Sequence, residues 1–360
     1  TVECICQDNA GNMWFAGHDG LSCFNGSNFS LYKNEMGVSG CISDSRIYKV
    51  LCDDRGRIWA GHLTGLSLFE PVSRTFKNFN SPYGAVSDIA VISDDRFLIV
   101  SNGILSIFNS ADEAFTREGI PALLLDAEIR SLYSDNGFIY IGCADGTIAE
   151  LSPNLFFLRR IDAGFPINAI LKSAEGALWI GTEGGGLLTM TQNQSVPKKW
   201  IPENGRMDIS SEYVRSLAYS EQGALWVGTK NGLNLISGGS INTFHHDFYN
   251  PGSLTHDSIY SIFRDHQGTM WIGTYYGGVC YCTSHSSQFQ SIMSRPGDKF
   301  LRGNIVSDIT EDSDGTLWIG TNSGGVNHLL GDGTFEHYDR NVIATESAMD
   351  VKCIYLSSAS

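Results

Sequence analysis

Basic charge is scarce in this 360-residue chain: 24 Lys and Arg stand against 39 Asp and Glu, for a net charge of −15. No basic run is longer than Lys198–Lys199. Such a surface repels a polyanion, so contact with nucleic acid is not expected. No apolar run reaches the roughly 18 residues that a membrane-crossing helix needs. No segment shows helical length together with helical period, and no secretory leader precedes Thr1, so the sequence reads as a mature or trimmed piece. Nucleophile-elbow, phosphate-loop and dinucleotide-binding signatures are all missing, and no Ser/His/Asp order can be singled out. Nothing implies a cofactor.

Metal chemistry is equally short of support. The nine cysteines include the pairs Cys4/Cys6 and Cys280/Cys282. Residues two apart on a strand share a face, so each pair reads as small apolar filling in a sheet and not as half of a zinc site. Most of the nine are expected to be free thiols. His245, His246, His256 and His266 lack metal-site spacing and read as loop histidines. Asp312 to Gly315 opens like a calcium loop but lacks the distal ligands, which makes it a turn.

What the chain has in abundance is repetition. The stretch GTLWIGTNSGG (315–325) returns as GTMWIGTYYGG (268–278), GALWIGTEGGG (176–186) and GALWVGTKNG (223–232). Six of the seven tryptophans belong to this phrase: Trp14, Trp59, Trp179, Trp226, Trp271 and Trp318. Successive intervals are 45 or 47 residues, except for a gap of 120 between Trp59 and Trp179. Two degenerate copies fill that gap, with Leu98 and Tyr140 in the tryptophan position. Eight copies result. A period of about 40–50 residues is that of a β-propeller blade.

Each copy reads as four short strands. An apolar stretch comes first, then a turn with Asp and Gly three apart, as in Asp8/Gly11 and Asp265/Gly268. The tryptophan strand follows, then a glycine-bearing turn, a third strand and an aromatic-bearing fourth. The fold expected is all-β, a propeller of four-stranded antiparallel blades. Seven blades closing over residues 1–300 is the preferred reading, with repeats around Trp14, Trp59, Leu98, Tyr140, Trp179, Trp226 and Trp271. Residues 301–360, holding the eighth repeat and a ninth first strand (351–356), then begin a second propeller. One eight-bladed ring is the alternative.

The phrase itself cannot be the functional site, because a site needs one constellation and not eight. Its tryptophan is expected to pack between blades. Function falls to the positions that vary, and two sets stand out. The first is the pair in the turn from second to third strand: His18–Asp19, Leu63–Thr64, Ala144–Asp145, Lys230–Asn231, Tyr275–Tyr276 and Asn322–Ser323. Tyr275 and Tyr276 could stack on sugar faces, or instead pack between blades or domains. The second set follows the first apolar residue of each inner strand: Glu3, Tyr48, Ser87, Arg130, Asn168, Arg215, Tyr260 and Ser307. These should crowd the mouth of the central channel, as a polar-ligand site or merely as its solvated lining. Arg130 and Arg215 would favour a carboxylate or sulfate. The candidate ligand-binding residues are therefore Tyr275, Tyr276, Tyr260, Arg215, Lys230, Asn231, Tyr48 and Arg130, with no catalytic and no metal-binding residue. Arg215, Tyr260 and Lys230 should gather on one side of the mouth.

The pattern V-x-x-I-x-x-D-x-x-G-x-L-W-I-G-T-x-x-G-L resembles the regulator-propeller repeat of hybrid two-component sensors, which join histidine kinase and response regulator in one chain. It is clearest in residues 259–279 and 305–326. Leu98, Tyr140, Ala16–Gly17 and Gly61–His62 depart from it. The resemblance implies the periplasmic ectodomain of an inner-membrane sensor, itself not an enzyme, binding an oligosaccharide or similar polar signal. A second propeller, a membrane helix that tethers the protein and the kinase would follow, with a homodimer formed through the full-length sensor. A propeller lyase acting on a polysaccharide or small molecule, or a protein–protein interaction scaffold, are the other classes open to this fold.

Overall fold

The computed structural model describes the chain apart from residues 136, 192–193, 202–208, 251, 284–293, 295–299, 304, 339–349 and 356–360. The strands pair in chain order into eight antiparallel sheets, seven of four strands and one of three among the described residues. The three-stranded sheet is that of Ile259–Arg264, Met270–Thr274 and Val279–Cys282. The stretch expected to supply its fourth strand lies largely outside the described residues. A four-residue helix, Ala122–Leu125, is the only helix among them. The fold is all-β with propeller sheets.

The chain divides into two compact units, the first comprising Thr1–His246 and Ser253–Ser284, the second Asp247–Gly252 and His285–Ser360. Within the first unit the leading strand of each sheet contacts the leading strand of the next, and the seventh contacts the first. Two of the seams carry the same bond. Ser131 Oγ donates to the Ile167 carbonyl at 3.1 Å, and Ser261 Oγ donates to the Val2 carbonyl at 3.2 Å. The second bond spans 259 positions of sequence and joins seventh sheet to first.

The glycine of the Gly–Thr pair belongs to these seams. A Cβ added to Gly142, Gly181 or Gly228 would sit 2.6 Å from a methyl of Ile167, Val214 or Ile259, the residue that opens the next sheet. One added to Gly273 would meet Val2 in the same way. The glycine is required by closeness, not by backbone conformation. The threonine closes the following turn. Thr182, Thr229 and Thr274 are wholly buried, and their hydroxyls donate to the carbonyls of Gly186, Gly232 and Gly278 at 2.7–3.0 Å. Gly278 itself sits at φ +74, where a side chain would be strained.

In the first unit the repeated tryptophans face the following sheet. Trp14 meets Phe69 edge-on at 4.9 Å, Trp59 packs on Phe97 at 4.9 Å, and Trp271 reaches Phe15 at 5.7 Å. In the two degenerate repeats Leu98 and Tyr140 fill the same layer and are fully buried. The turn aspartate does more than turn. The indole N–H of Trp14, Trp59 and Trp271 donates to Asp8, Asp53 and Asp265 at 2.8–2.9 Å, while the same carboxylate caps two backbone N–H groups.

Serine stands at that position in two repeats. Trp179 there donates instead to the Tyr219 hydroxyl at 2.7 Å, whereas the buried Trp226 indole nitrogen has no partner. An unmet buried donor costs stability. Ser220→Asp should therefore raise the unfolding free energy by about 1 kcal/mol in urea denaturation. A neutral or negative change would show that the missing acceptor is not what the site lacks.

In the second unit Trp318 donates to Asp312 at 3.2 Å, and a Cβ on Gly320 would meet Val351 at 2.7 Å. Asp308 accepts from the Ile354 N–H at 2.7 Å. Residues 351–355 form no strand, yet they make the contacts that open a new sheet elsewhere; Leu356 lies outside the described residues. All nine cysteines are free, with Cys6 buried and Cys4, Cys23 and Cys52 packed between first and second sheets. Among the described residues no helix is long and apolar enough to cross a membrane, and no three His, Cys, Asp or Glu side chains group to hold a metal.

Candidate functional site

The two variable sets lie side by side because the backbone ties them together. In the sixth and seventh sheets the turn between second and third strands hydrogen-bonds the segment entering the first strand. Lys230 N donates to the Tyr213 carbonyl and Tyr275 N to the Ser258 carbonyl, both at 3.0 Å. A turn residue and an inner-strand residue of one sheet are thus held at the same end of it.

At the seventh sheet this produces a stair of aromatic rings. Tyr260 and Tyr275 stack with centroids 5.5 Å apart and planes 12° from parallel. Tyr276 sits edge-on to Tyr275 at 4.1 Å, its hydroxyl 3.3 Å from that of Tyr275. Tyr276 is 76% exposed, so the top of the stair is open to solvent. Burial raises the Tyr260 phenol, and the hydroxyl contact with Tyr275 raises that of Tyr276. Both stay neutral near pH 7, able to donate and to accept.

Arg215 of the sixth sheet completes the lower end. Its guanidinium carbon lies 4.3 Å from the Tyr260 ring centre, and Nη1 donates to Ser258 Oγ at 2.8 Å. Face-on stacking of this kind orders the side chain and contributes about 0.5–2 kcal/mol. From the first sheet, Glu3 reaches His18 Nε2 at 2.8 Å. Burial raises the Glu3 carboxyl, opposed by His18 and, more weakly, by Arg215. Residues from sheets six, seven and one therefore meet at one end of the first unit.

Of the eight candidates, Arg215, Tyr260, Tyr275 and Tyr276 come together. The others do not join them. The Lys230 ammonium lies over the Tyr213 ring at 5.1 Å, and Asn231 is fixed in its turn by an N–H bond to Thr229 Oγ1 at 3.1 Å. Tyr48 lies under the Arg46 guanidinium at 5.5 Å in the second sheet. Arg130 is ion-paired with Glu183 of the fifth sheet. His256, read from sequence as a loop histidine, is in a loop but faces both Tyr275 and Tyr276 at 6.2–6.3 Å. Its Nδ1 accepts from Ser258 N at 2.9 Å. Its position two residues before Ser258, on the entry to the seventh sheet, was the available signal.

The profile of the two-component regulator propeller family matches residues 253–276 and 301–323, the first of which spans His256, Ser258, Tyr260, Tyr275 and Tyr276. No curated protein matches the chain by sequence. Among solved structures it is similar to the extracellular domain of BT4673 of B. thetaiotaomicron, described as a putative hybrid two-component system, at 21% identity and a TM-score of 0.65. That likeness covers 98% of this chain and 48% of the other. A second structure of that domain, described as a putative one-component system, gives 22% identity, a TM-score of 0.64, and coverage of 92% and 44%. The WD40 propeller of Doa1 follows the same fold at 11% identity and a TM-score of 0.62, over 81% of this chain and 95% of the other. The chain spans just under half the length of the extracellular domains it matches.

Proposed function

We propose that this chain, built of two-component regulator propeller repeats, is the ligand-sensing part of a hybrid two-component sensor. It binds an oligosaccharide or similar polar signal at the tyrosine stair and passes the signal to a kinase elsewhere in the protein. On this reading the fragment is not an enzyme, lies outside the cytoplasm, in the periplasm, and works as a homodimer through the full-length sensor. The first unit is a seven-bladed propeller and the second unit begins another. The cyclic order of contacts and the Ser261–Val2 bond support the first part of that division.

The observation that carries the functional reading is the open stair itself. Three tyrosines are held in fixed register over a stacked guanidinium, and no other repeat carries a tyrosine pair in this turn beside a tyrosine on its inner strand. Flat rings with hydroxyls on their rims suit the alternating apolar faces and hydroxyls of a sugar. Each stack or charge-assisted bond would contribute about 1–3 kcal/mol. Tyr276→Ala and Arg215→Ala should each weaken oligosaccharide binding roughly tenfold or more in calorimetry, with melting temperature nearly unchanged. Equal affinity in both variants and the parent removes the site from this face. Product analysis after incubation with the same glycans separates the sensor from a lyase: turnover would replace the first reading by the second.

A further inference from the structure

We propose that the ligand carries one anionic group, a carboxylate or a sulfate ester, and that Arg215 receives it. This rests on reading the tyrosine stair as the ligand site and goes further by naming the charge of what binds there. Two arginines occupy channel-mouth positions, and the structure separates them. Arg130 is committed to Glu183. Arg215 is not committed to any carboxylate among the described residues. Its one hydrogen bond there is from Nη1 to the neutral Ser258 hydroxyl, which leaves most of its donors unused. Glu3, the carboxyl that acts on it from the first sheet, makes its own short contact with His18 at 2.8 Å.

The guanidinium is half-buried, pinned on one face by the Tyr260 ring and at one edge by Ser258. A cation held in that way has given up part of its water, and the carboxyl that acts on it, Glu3, is in direct contact with His18 and not with the guanidinium. An incoming anion restores the balance, and the planar fork suits two oxygens of a carboxylate or sulfate. One free arginine implies one anionic group. Tyr260 and Tyr275, stacked beside it, place the apolar faces that would meet the ring bearing that group. Because the chain as a whole carries −15, general electrostatic attraction works against such a ligand. Preference for it must come from this local contact.

The test is calorimetry on the whole chain with three probes: a galacturonic-acid trisaccharide, the same trisaccharide with its carboxyl groups reduced to alcohols, and a sulfated galactose trisaccharide. The parent should bind at least one acidic probe tenfold or more tighter than the reduced one, and which acid is preferred tells carboxylate from sulfate. Arg215→Gln, which keeps a hydrogen bond to Ser258 within reach, should abolish that preference while retaining the affinity of the reduced probe. Tyr276→Ala should weaken all probes and leave the preference in place. Equal binding of acidic and reduced probes, binding of neither acid, or a preference that survives Arg215→Gln overturns the inference. Failure of the stair as the site is separately visible, since Tyr276→Ala would then change nothing for any probe.

Discussion

Trp271→Ala should lower the unfolding free energy by about 3–5 kcal/mol, the cost typical of truncating a large packed aromatic. Two losses combine. The indole reaches across the seam to Phe15 at 5.7 Å and Phe24 at 6.3 Å, so its removal opens a cavity between seventh and first sheets. The buried Asp265 also loses the indole N–H that it accepts at 2.8 Å, though it keeps the N–H groups of Gln267 and Thr269. Guanidinium denaturation measures the effect. A variant that unfolds like the parent while losing ligand would mean that the repeated phrase is a binding element and not scaffold.

The second large effect is one of pH, and it arises from a departure in the second repeat. His62 stands where later repeats have the turn-closing threonine, and it is wholly buried. Nε2 lies 2.8 Å from Ser67 Oγ, whose own proton goes to Asn78 Oδ1, so Nε2 carries the imidazole proton. Nδ1 then accepts from Thr64 N at 3.3 Å, a bond that protonation would destroy. Burial lowers the His62 pKa from 6.5 to about 4. The fold therefore holds the neutral ring while the unfolded chain takes up a proton below its ordinary pKa. Stability from this group is intact above about pH 6.5 and is lost as the pH falls from there towards 4. The loss amounts to about 3 kcal/mol over that window. His62→Thr, which supplies the residue found in the turns of repeats five to eight, should flatten the difference in unfolding free energy between pH 7 and pH 4.5 relative to the parent. An unchanged pH slope would show that His62 is not held neutral.

Much of the scaffold was legible because its determinants are local. Tryptophan spacing, the Asp–Gly turn three residues apart and the Gly–Thr pair all lie within one repeat, and the strands appear where that spacing puts them. The Asp265–Trp271 bond was missed although both residues stood in the pattern: six residues apart in sequence, they meet only because the turn folds the carboxylate under the indole. The site was half legible for the converse reason. Position alone brought Arg215 and Tyr260 together, since adjacent sheets carry them at equivalent places. It could not show that Glu183 would claim Arg130 from 53 positions away, or that Lys230 would settle on Tyr213. Such pairings depend on which long side chains reach across a seam, and period does not encode reach.

The central proposal is that ligand binds at the end carrying the second-to-third-strand turns, over the tyrosine stair. Amide hydrogen exchange read by mass spectrometry, on the chain with and without the tightest-binding oligosaccharide, tests this most directly. Protection should appear in the segments 256–260 and 274–278, with Arg215 in a third protected peptide, while the opposite turns such as 265–268 exchange as before. Protection confined to the Asp–Gly turns, with the stair unchanged, would contradict it.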